Sequence, residues 1–344
     1  MKILKSSTWN VTNPVKAAHR RKVGRLGLAG SAIFALAALT ACGDNGNADE
    51  FPSDTVELII PYAAGGSTDV SLRLMADIAE ETCGTTFIAS NQTGSAGAVG
   101  FSATSNAEPD GYTVGATATE LSILHQMGVA DIAPEDLKGV MRYALNPHVM
   151  FVPADSPYDS IDDVIDAAEN GETINAATPG TGSAAHLSLE GLALEADIPG
   201  AFTNVPFDGD ATALQAVMGG NADLIMMTMG TALPQVEAGA IKAIAVAGEE
   251  RFDELPDTPT LIESGVDWET GAHLGLAVPP ETPDETVDVL HECLHEAIQD
   301  DRYVEGMADQ NLAIDHLPPA EFEQYLQDLE EQFGAIIEEA EISE

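Results

Sequence analysis

The chain has 344 residues, 44% of them hydrophobic, which is enough for two compact domains with apolar cores. Its 57 Asp and Glu residues far outnumber its 13 Lys and Arg residues, and so few cations argue against nucleic acid as a partner. Charge this high is also typical of disordered chains, but apolar residues recur with helix and strand periods and favour a folded protein.

The first 41 residues have the pattern of an export signal. A basic stretch is followed by an apolar, small-residue-rich stretch from 26 to 41 and then by Cys42. The sequence L-T-A-C at 39–42 resembles a lipobox, which implies that residues 1–41 are a lipoprotein signal peptide. Cys42 then becomes the lipidated N-terminus on the outer face of the cell membrane, and an uncleaved anchor helix is the alternative. The pair Arg20-Arg21 leaves the general and the twin-arginine export routes both open.

The charge is divided unevenly between the signal and the rest of the chain. Seven of the 13 Lys and Arg residues precede Cys42 and no acid does, so the remainder has six bases against 57 acids. Such a surface repels itself in dilute salt and is screened at about 1 M salt, where the Debye length is roughly 3 Å. We therefore expect a halophilic source, and an anion site that works through local dipoles.

Residues 42–52 are small and polar and predict a flexible tether. The next stretch, I-I-P-Y-A-A-G-G-S-T-D at 59–69, predicts a strand, a glycine loop and a helix. We expect Ser67 or Thr68 to cap this helix and Gly84 to end it. Such a junction directs free backbone N–H groups and the positive helix end at the loop, which suits an anion. An ordinary βα turn is the alternative.

Two later loops, at 94–97 and 180–183, also combine glycine, a hydroxyl and the start of a helix. Convergent helix N-termini bind a carboxylate without Lys or Arg, since each amide hydrogen bond to a charged oxygen contributes roughly 1.5–3 kcal/mol. The three loops together therefore predict a site for a small organic acid.

Strand-like and helix-like segments alternate along the chain, as is typical of α/β folds. A capping box of Ser160 and Asp163 predicts a helix that ends at Asn170-Gly171. Other helices are expected after 183 and 210, and the chain after 280 is predicted to be helical. Further strands are predicted at 86–90, 112–116, 149–153, 223–229, 243–247 and 274–278.

Two patterns point weakly to enzymes. H-E-C-L-H at 291–295 matches the zinc-protease motif, but its helix buries an apolar face and the histidine pair lies on the flank. Ser183 and His186 are neighbours at a helix start, but no G-x-S-x-G pattern surrounds them. His186 is either a ligand contact or a packed helix residue. We expect no enzyme activity, no catalytic residues, no metal ligands and no cofactor.

Cys83 and Cys293 are the two cysteines outside the lipobox. An exported protein permits a disulfide, but the sequence does not place their Cα atoms within the roughly 7 Å that a disulfide requires. Two reduced, buried thiols are the equal alternative.

Six motifs in this order resemble the tripartite tricarboxylate transporter substrate-binding family, also called Bug receptors. They are I-I-P-Y-A-A-G-G-S-T-D (59–69), S-N-Q-T-G-S-A-G (90–97), P-D-G-Y-T (109–113), G-T-G-S-A-A-H-L (180–187), V-P-F-D-G (205–209) and L-P-D-T-P-T (255–260). The resemblance covers about residue 54 to the C-terminus. It implies an α/β, two-lobed periplasmic-binding-protein fold (a type II Venus flytrap) that closes on a carboxylate-bearing solute. The receptor, expected to be a monomer, then delivers its ligand to one large and one small integral membrane subunit.

The resemblance also implies the ligand-binding residues. In the first lobe they are Tyr62, Ala63, Gly65, Gly66, Thr68, Asp69, Asn91, Gly94, Ala96 and Gly97. In the second lobe they are Thr181, Ser183, His186 and Asp208. Two residues depart from the family pattern, Gln92 where Arg is usual and Asp208 where Lys is usual. Both changes remove positive charge, which reflects either the acidic chain or a less anionic or amide-bearing ligand.

The domain boundaries follow from the same resemblance. The first lobe is expected at 51–153, with 276–344 returning to it, and the second lobe at 154–275. The C-terminal helix is expected to pack on the first lobe. A sensory receptor of the same fold that signals to a membrane kinase is the alternative function.

Overall fold

The computed structural model describes residues 51–342, so the predicted signal peptide, Cys42 and most of the predicted tether lie outside the described residues. The strands are β1 (Val56–Ile60), β2 (Phe87–Asn91), β3 (Thr113–Ala118), β4 (Lys138–Pro153), β5 (Ile174–Thr178), β6 (Phe202–Pro206), β7 (Leu224–Thr228), β8 (Ile241–Val246), β9 (Gly271–Val278) and β10 (Ile314–Leu317). The helices are α1 (Ser67–Thr82), α2 (Ala98–Ser105), α3 (Ile161–Glu169), α4 (Ala184–Glu195), α5 (Asp210–Met218), α6 (Met229–Glu237), α7 (Asp284–Ile298), α8 (Asp301–Ala308) and α9 (Pro319–Glu339).

The strands form one curled, mixed sheet in the order β2-β1-β3-β9-β4-β7-β5-β6, with β8 and β10 paired to β4. The 16-residue β4 belongs to both halves of this sheet. Residues 138–147 pair with β9, whereas residues 148–153 pair with β7 and β8. We call the half with β1, β2, β3, β9 and β10 the first lobe and the half with β5 to β8 the second lobe. The predicted α/β, two-lobed fold is confirmed, while the exact domain boundaries stay a prediction.

The first predicted junction is present, with one change at the cap. β1 leads through the glycine loop into α1, whose N-cap is Gly66 in an extended conformation with no side-chain cap. The prediction that Ser67 or Thr68 caps the helix is therefore wrong, because both lie inside the first turn. The far end is as expected, since Gly84 has φ +70° just beyond the last turn.

Each lobe has its own apolar core, and α9 contacts both. Phe322 near the start of α9 packs against Gly275 of β9, in the first lobe. Phe333 and Ile336 near its end join the core of the second lobe, where Ile336 approaches Gly191. The C-terminal helix thus spans the two lobes, rather than packing on the first lobe alone as expected.

A disulfide joins Cys83, at the end of α1, to Cys293 on α7, with 4.9 Å between the Cα atoms. The structure thereby decides between the two alternatives that the sequence left open. The apolar face of α7 is the predicted one, with Val287, Leu290, Leu294, Ala297 and Ile298 buried. Within residues 51–342 no helix combines the length and the apolar character that crossing a membrane requires.

Candidate functional site

A cavity of about 350 Å³ lies beside β4 and is lined by residues of both lobes. The first lobe contributes the start of α1, the end of β3 and the start of β9, and the second lobe contributes the starts of α4 and α5. This volume lies within the range of small-molecule sites, roughly 300–1,000 Å³. The cavity is therefore the candidate ligand site.

The start of α1 forms one wall, through Gly66, Ser67 and Thr68. The first amides of a helix have no partner within the helix, and the helix dipole adds partial positive charge at the same end. No side chain caps this helix. The wall can therefore donate hydrogen bonds to a negatively charged oxygen.

Asp69 holds the glycine loop in place beneath this wall. Its Oδ2 accepts a 2.9 Å hydrogen bond from the Gly65 amide, and its Oδ1 accepts hydrogen bonds from Asn91 Nδ2 at 2.8 Å and Arg73 Nε at 2.9 Å. Burial raises the pKa of Asp69, but these hydrogen bonds and the Arg73 charge outweigh it and leave the pKa below its ordinary value. The carboxylate is thus charged and fully engaged, and it fixes the loop rather than facing the cavity.

The start of α4 forms the opposite wall, through Ser183, Ala184 and Ala185. The Ser183 hydroxyl donates to the Gly180 carbonyl at 2.7 Å and accepts from the His186 amide at 3.3 Å, so it caps α4. The uncommitted donors on this wall are the first backbone amides of the helix.

His186 is a buried helix residue in this structure. Its Nδ1 accepts a 3.0 Å hydrogen bond from the Gly182 amide, and its Nε2 lies 3.6 Å from Glu190. His186 packs in α4 and shapes the loop before it. Its role as a ligand contact stays a prediction.

Four of the residues implied by the resemblance line the cavity, namely Tyr62, Gly66, Thr68 and Ser183. The others lie outside the lining: Ala63, Gly65, Asp69, Asn91, Gly94, Ala96, Gly97, Thr181, His186 and Asp208. The loop at 94–97 packs behind the wall, since a Cβ on Gly97 would lie 3.3 Å from the Tyr62 hydroxyl. Thr181 accepts a hydrogen bond from Asn204, and Asp208 is exposed.

Two acidic residues that the sequence analysis did not select also line the cavity, Glu120 after β3 and Asp210 at the start of α5. The Tyr62 hydroxyl donates a 2.9 Å hydrogen bond to Glu120 Oε2. Burial raises the pKa of Glu120 above its ordinary value, and the charge of Asp210 raises it further. Loss of solvent also raises the pKa of Asp210.

Two neutral histidines, His148 and His273, also line the cavity. His148 Nδ1 lies 2.8 Å from the Ser188 hydroxyl, and burial lowers the pKa of His148 to about 4. Burial and the nearby Arg142 charge lower the pKa of His273 to about 3. Among the described residues, no Lys or Arg lines this cavity. The site therefore offers helix N-termini, hydroxyls and neutral imidazoles, together with two carboxyl groups whose charge depends on pH.

Comparison with known proteins places this architecture in a family. The sequence model described as "Tripartite tricarboxylate transporter family receptor" matches residues 71–342. The chain belongs to this family. The chain is therefore a solute receptor of this family.

Several relatives and solved structures are similar to this chain over most of its length. A UPF0065 protein in the gbd 5′ region of Cupriavidus necator is 29% identical over 322 residues, which is 93% of this chain and 97% of that protein. A TctC solute-binding protein from Polaromonas has a TM-score of 0.78 at 28% identity, covering 84% of this chain and 100% of the other. MatC from Rhodopseudomonas palustris with bound malate has a TM-score of 0.67 at 26% identity, covering 83% and 100%.

Proposed function

We propose that this receptor binds a small carboxylate, of the di- or tricarboxylate class or a related organic acid, between the starts of α1 and α4. The observation that carries the proposal is that the two helix N-termini, one from each lobe, line the same cavity. Each presents unpaired amides and partial positive charge, which is the arrangement that binds carboxylates without a cationic side chain.

The lining favours an acid of low negative charge within this class. Glu120 and Asp210 oppose a multiply charged anion while they are ionised. The same two groups become hydrogen-bond donors when they are protonated, and their raised pKa values bring that state closer to working conditions. We therefore place dicarboxylates ahead of tricarboxylates. A solved structure similar to this chain, MatC, holds malate, a four-carbon dicarboxylate.

We further propose that Cys42 carries the lipid anchor and that the receptor serves a tripartite tricarboxylate-type secondary transporter. The lipobox at 39–42 and the family membership support these two points. One lipid chain anchors a protein only reversibly, whereas several chains hold it firmly. The wild type should incorporate a labelled fatty acid, and a Cys42→Ser variant should not incorporate it. Equal labelling of the variant and the wild type would contradict the anchor.

The ligand class is tested by calorimetric titration of the purified protein at about 1 M salt, where its surface charge is screened. The panel contains succinate, malate, citrate and the half-amide succinamate. We expect a single site that prefers the dicarboxylates to citrate. Absence of binding for every acid in a broader set of mono-, di- and tricarboxylates would contradict the proposed ligand class.

A further inference from the structure

Three histidines meet between α7 and the edge strand β10. His291 and His295 lie one turn apart on α7, and His316 lies on β10, which pairs with β4. None of the three is among the residues that line the cavity. The H-E-x-x-H pattern supplies two of these histidines, and the fold brings the third from 21 positions further along the chain.

The ring nitrogens are grouped closely enough for rotation of the three near-parallel rings to bring them to one metal ion. One nitrogen from each ring lies within 4.8 Å of the others, and Nε2 of His291 lies 3.0 Å from Nε2 of His316. Two imidazoles bound to one tetrahedral Zn²⁺ at about 2.0–2.1 Å have their nitrogens about 3.3 Å apart. All three side chains are half-buried, so packing holds each ring on one side while an ion can enter from the other.

The three imidazoles suit a divalent transition-metal ion of intermediate hardness. Neutral imidazole suits Zn²⁺, Cu²⁺ and Ni²⁺, and three protein ligands with an open fourth position form a common zinc arrangement. His295 Nε2 also lies 2.8 Å from the Gln299 side-chain amide, a contact that orients this ring. The charged groups acting on the His291 and His316 rings are three carboxylates and one guanidinium, those of Asp288, Glu292, Asp315 and Arg142. The guanidinium is paired with Asp315, which leaves two carboxylates to favour a cation.

We propose that His291, His295 and His316 form a binding site for one divalent transition-metal ion, with Zn²⁺ as the ion that fits best. A bound ion joins β10 to α7 and so fastens the edge of the first lobe. This site is separate from the carboxylate cavity and does not depend on the function proposed for that cavity.

The test is a zinc titration of the purified chain without an affinity tag, after removal of metals by a chelator. The buffer contains about 1 M NaCl and a roughly 100-fold excess of Mg²⁺, which prefers oxygen ligands and so occupies the many surface carboxylates. We expect one Zn²⁺ per chain and a higher melting temperature with zinc. His316→Ala and His291→Gln should each weaken zinc binding by at least about tenfold and abolish the rise in melting temperature. His125→Ala, which removes an exposed histidine outside the cluster, should leave both unchanged.

Melting curves without metal show whether each variant folds, and the two variants alter different elements, so a folding defect in one leaves the other informative. Zinc binding of equal strength in the wild type and in a folded His316→Ala or His291→Gln variant would overturn the proposal. It would also be overturned if the wild type bound no zinc in the presence of Mg²⁺, because surface carboxylates would then account for any binding seen without Mg²⁺.

Discussion

The hydroxyl of Tyr62 donates its one proton to Glu120 across 2.9 Å at the edge of the cavity. Burial, followed by the charge and hydrogen bond of Glu120, raises the pKa of Tyr62 well above its ordinary value, so Tyr62 stays neutral. While Glu120 is ionised, the tyrosine proton is engaged and both side chains present oxygen lone pairs to the cavity. Protonation of Glu120 removes a negative charge and provides a second proton for the pair, which frees a donor for an anionic ligand.

The first prediction concerns this pair. Glu120→Gln removes the charge and keeps an acceptor for Tyr62, so we expect dicarboxylate affinity to rise by about tenfold at pH 7, because a like charge several ångströms away opposes binding. In the wild type, affinity should rise as the pH falls towards the raised pKa of Glu120, and this dependence should weaken in the variant. Calorimetry at a series of pH values measures both effects.

Glu108→Gln provides the matched control, since Glu108 is an exposed carboxylate outside the cavity. It should leave the affinity unchanged. If Glu120→Gln instead abolished binding, Glu120 would be a ligand contact as a carboxylate, and the ligand would be cationic or a hydrogen-bond donor.

The second prediction separates the two glycines of the first loop. Gly66 has φ −77°, lines the cavity, and its Cβ position is 3.5 Å from the nearest atom, the Ala63 carbonyl oxygen. Gly66→Val should therefore fold, while its side chain occupies space beside the helix start and lowers ligand affinity by about tenfold or more. Binding and unfolding are measured on the same preparation.

Gly65 serves as the comparison because it has φ +87° and lies outside the lining. Gly65→Ala meets no atom within 4 Å, so its effect is backbone strain of about 1–2 kcal/mol in the unfolding free energy. We expect a larger effect on stability and a smaller effect on affinity than for Gly66→Val. The reverse order would show that the wall formed by α1 does not contact the ligand.

The third prediction is a pH dependence of stability caused by His148. Burial holds its pKa in the folded protein at about 4, below the ordinary 6.5, so the unfolded chain binds more protons between these values. Stability is therefore lost as the pH falls through this window, by about 2 kcal/mol between pH 7 and pH 5 for this one group. Denaturant unfolding at both pH values measures the loss.

Between pH 7 and pH 5 the His148→Gln variant should lose about 2 kcal/mol less stability than the wild type, since glutamine does not titrate. The exposed His125→Gln variant should behave as the wild type does. A pH dependence that is identical in the wild type and in His148→Gln would show that His148 titrates normally in the folded protein.

The fourth prediction follows from the charge of the chain. With six bases against 57 acids from Cys42 onward, self-repulsion is strong where the Debye length is long. Raising the salt concentration from about 0.1 M to about 1 M shortens that length from roughly 10 Å to roughly 3 Å and should raise the melting temperature. A melting temperature that does not change with salt would contradict the salt-adapted surface.

Local signals in the sequence predicted much of the fold because their physical causes are themselves local. The capping box of Ser160 and Asp163 is formed at the start of α3. The first half of β4 was missed because it contains Arg142, and an arginine usually indicates an exposed segment. In the fold Arg142 is buried, pairs with Asp315 and lies 4.5 Å from the ring centre of Tyr325. Helix α6 was missed because Gly230 and Pro234 interrupt its pattern.

Site residues with a local signal were likewise found from the sequence, and those without one were missed. Gly66 and Ser183 were found because a glycine or hydroxyl loop before a helix marks an N-terminus that can bind an anion. Glu120 was not found, although it follows the end of β3, where ligands of α/β sheets commonly bind. The approach of Asp210 and His148 to Glu120 depends on how β4 joins the two lobes, which no short pattern records.

The most direct test of the central claim is a calorimetric titration of malate into the wild type and into Gly66→Val and Ala184→Val, at about 1 M salt. The two variants place a larger side chain at the start of α1 and at the start of α4. We predict one malate site in the wild type and a loss of affinity of about tenfold or more in each variant, because both helix ends hold the same ligand. Malate binding that both folded variants retain in full would contradict the claim that a carboxylate binds between these two helices.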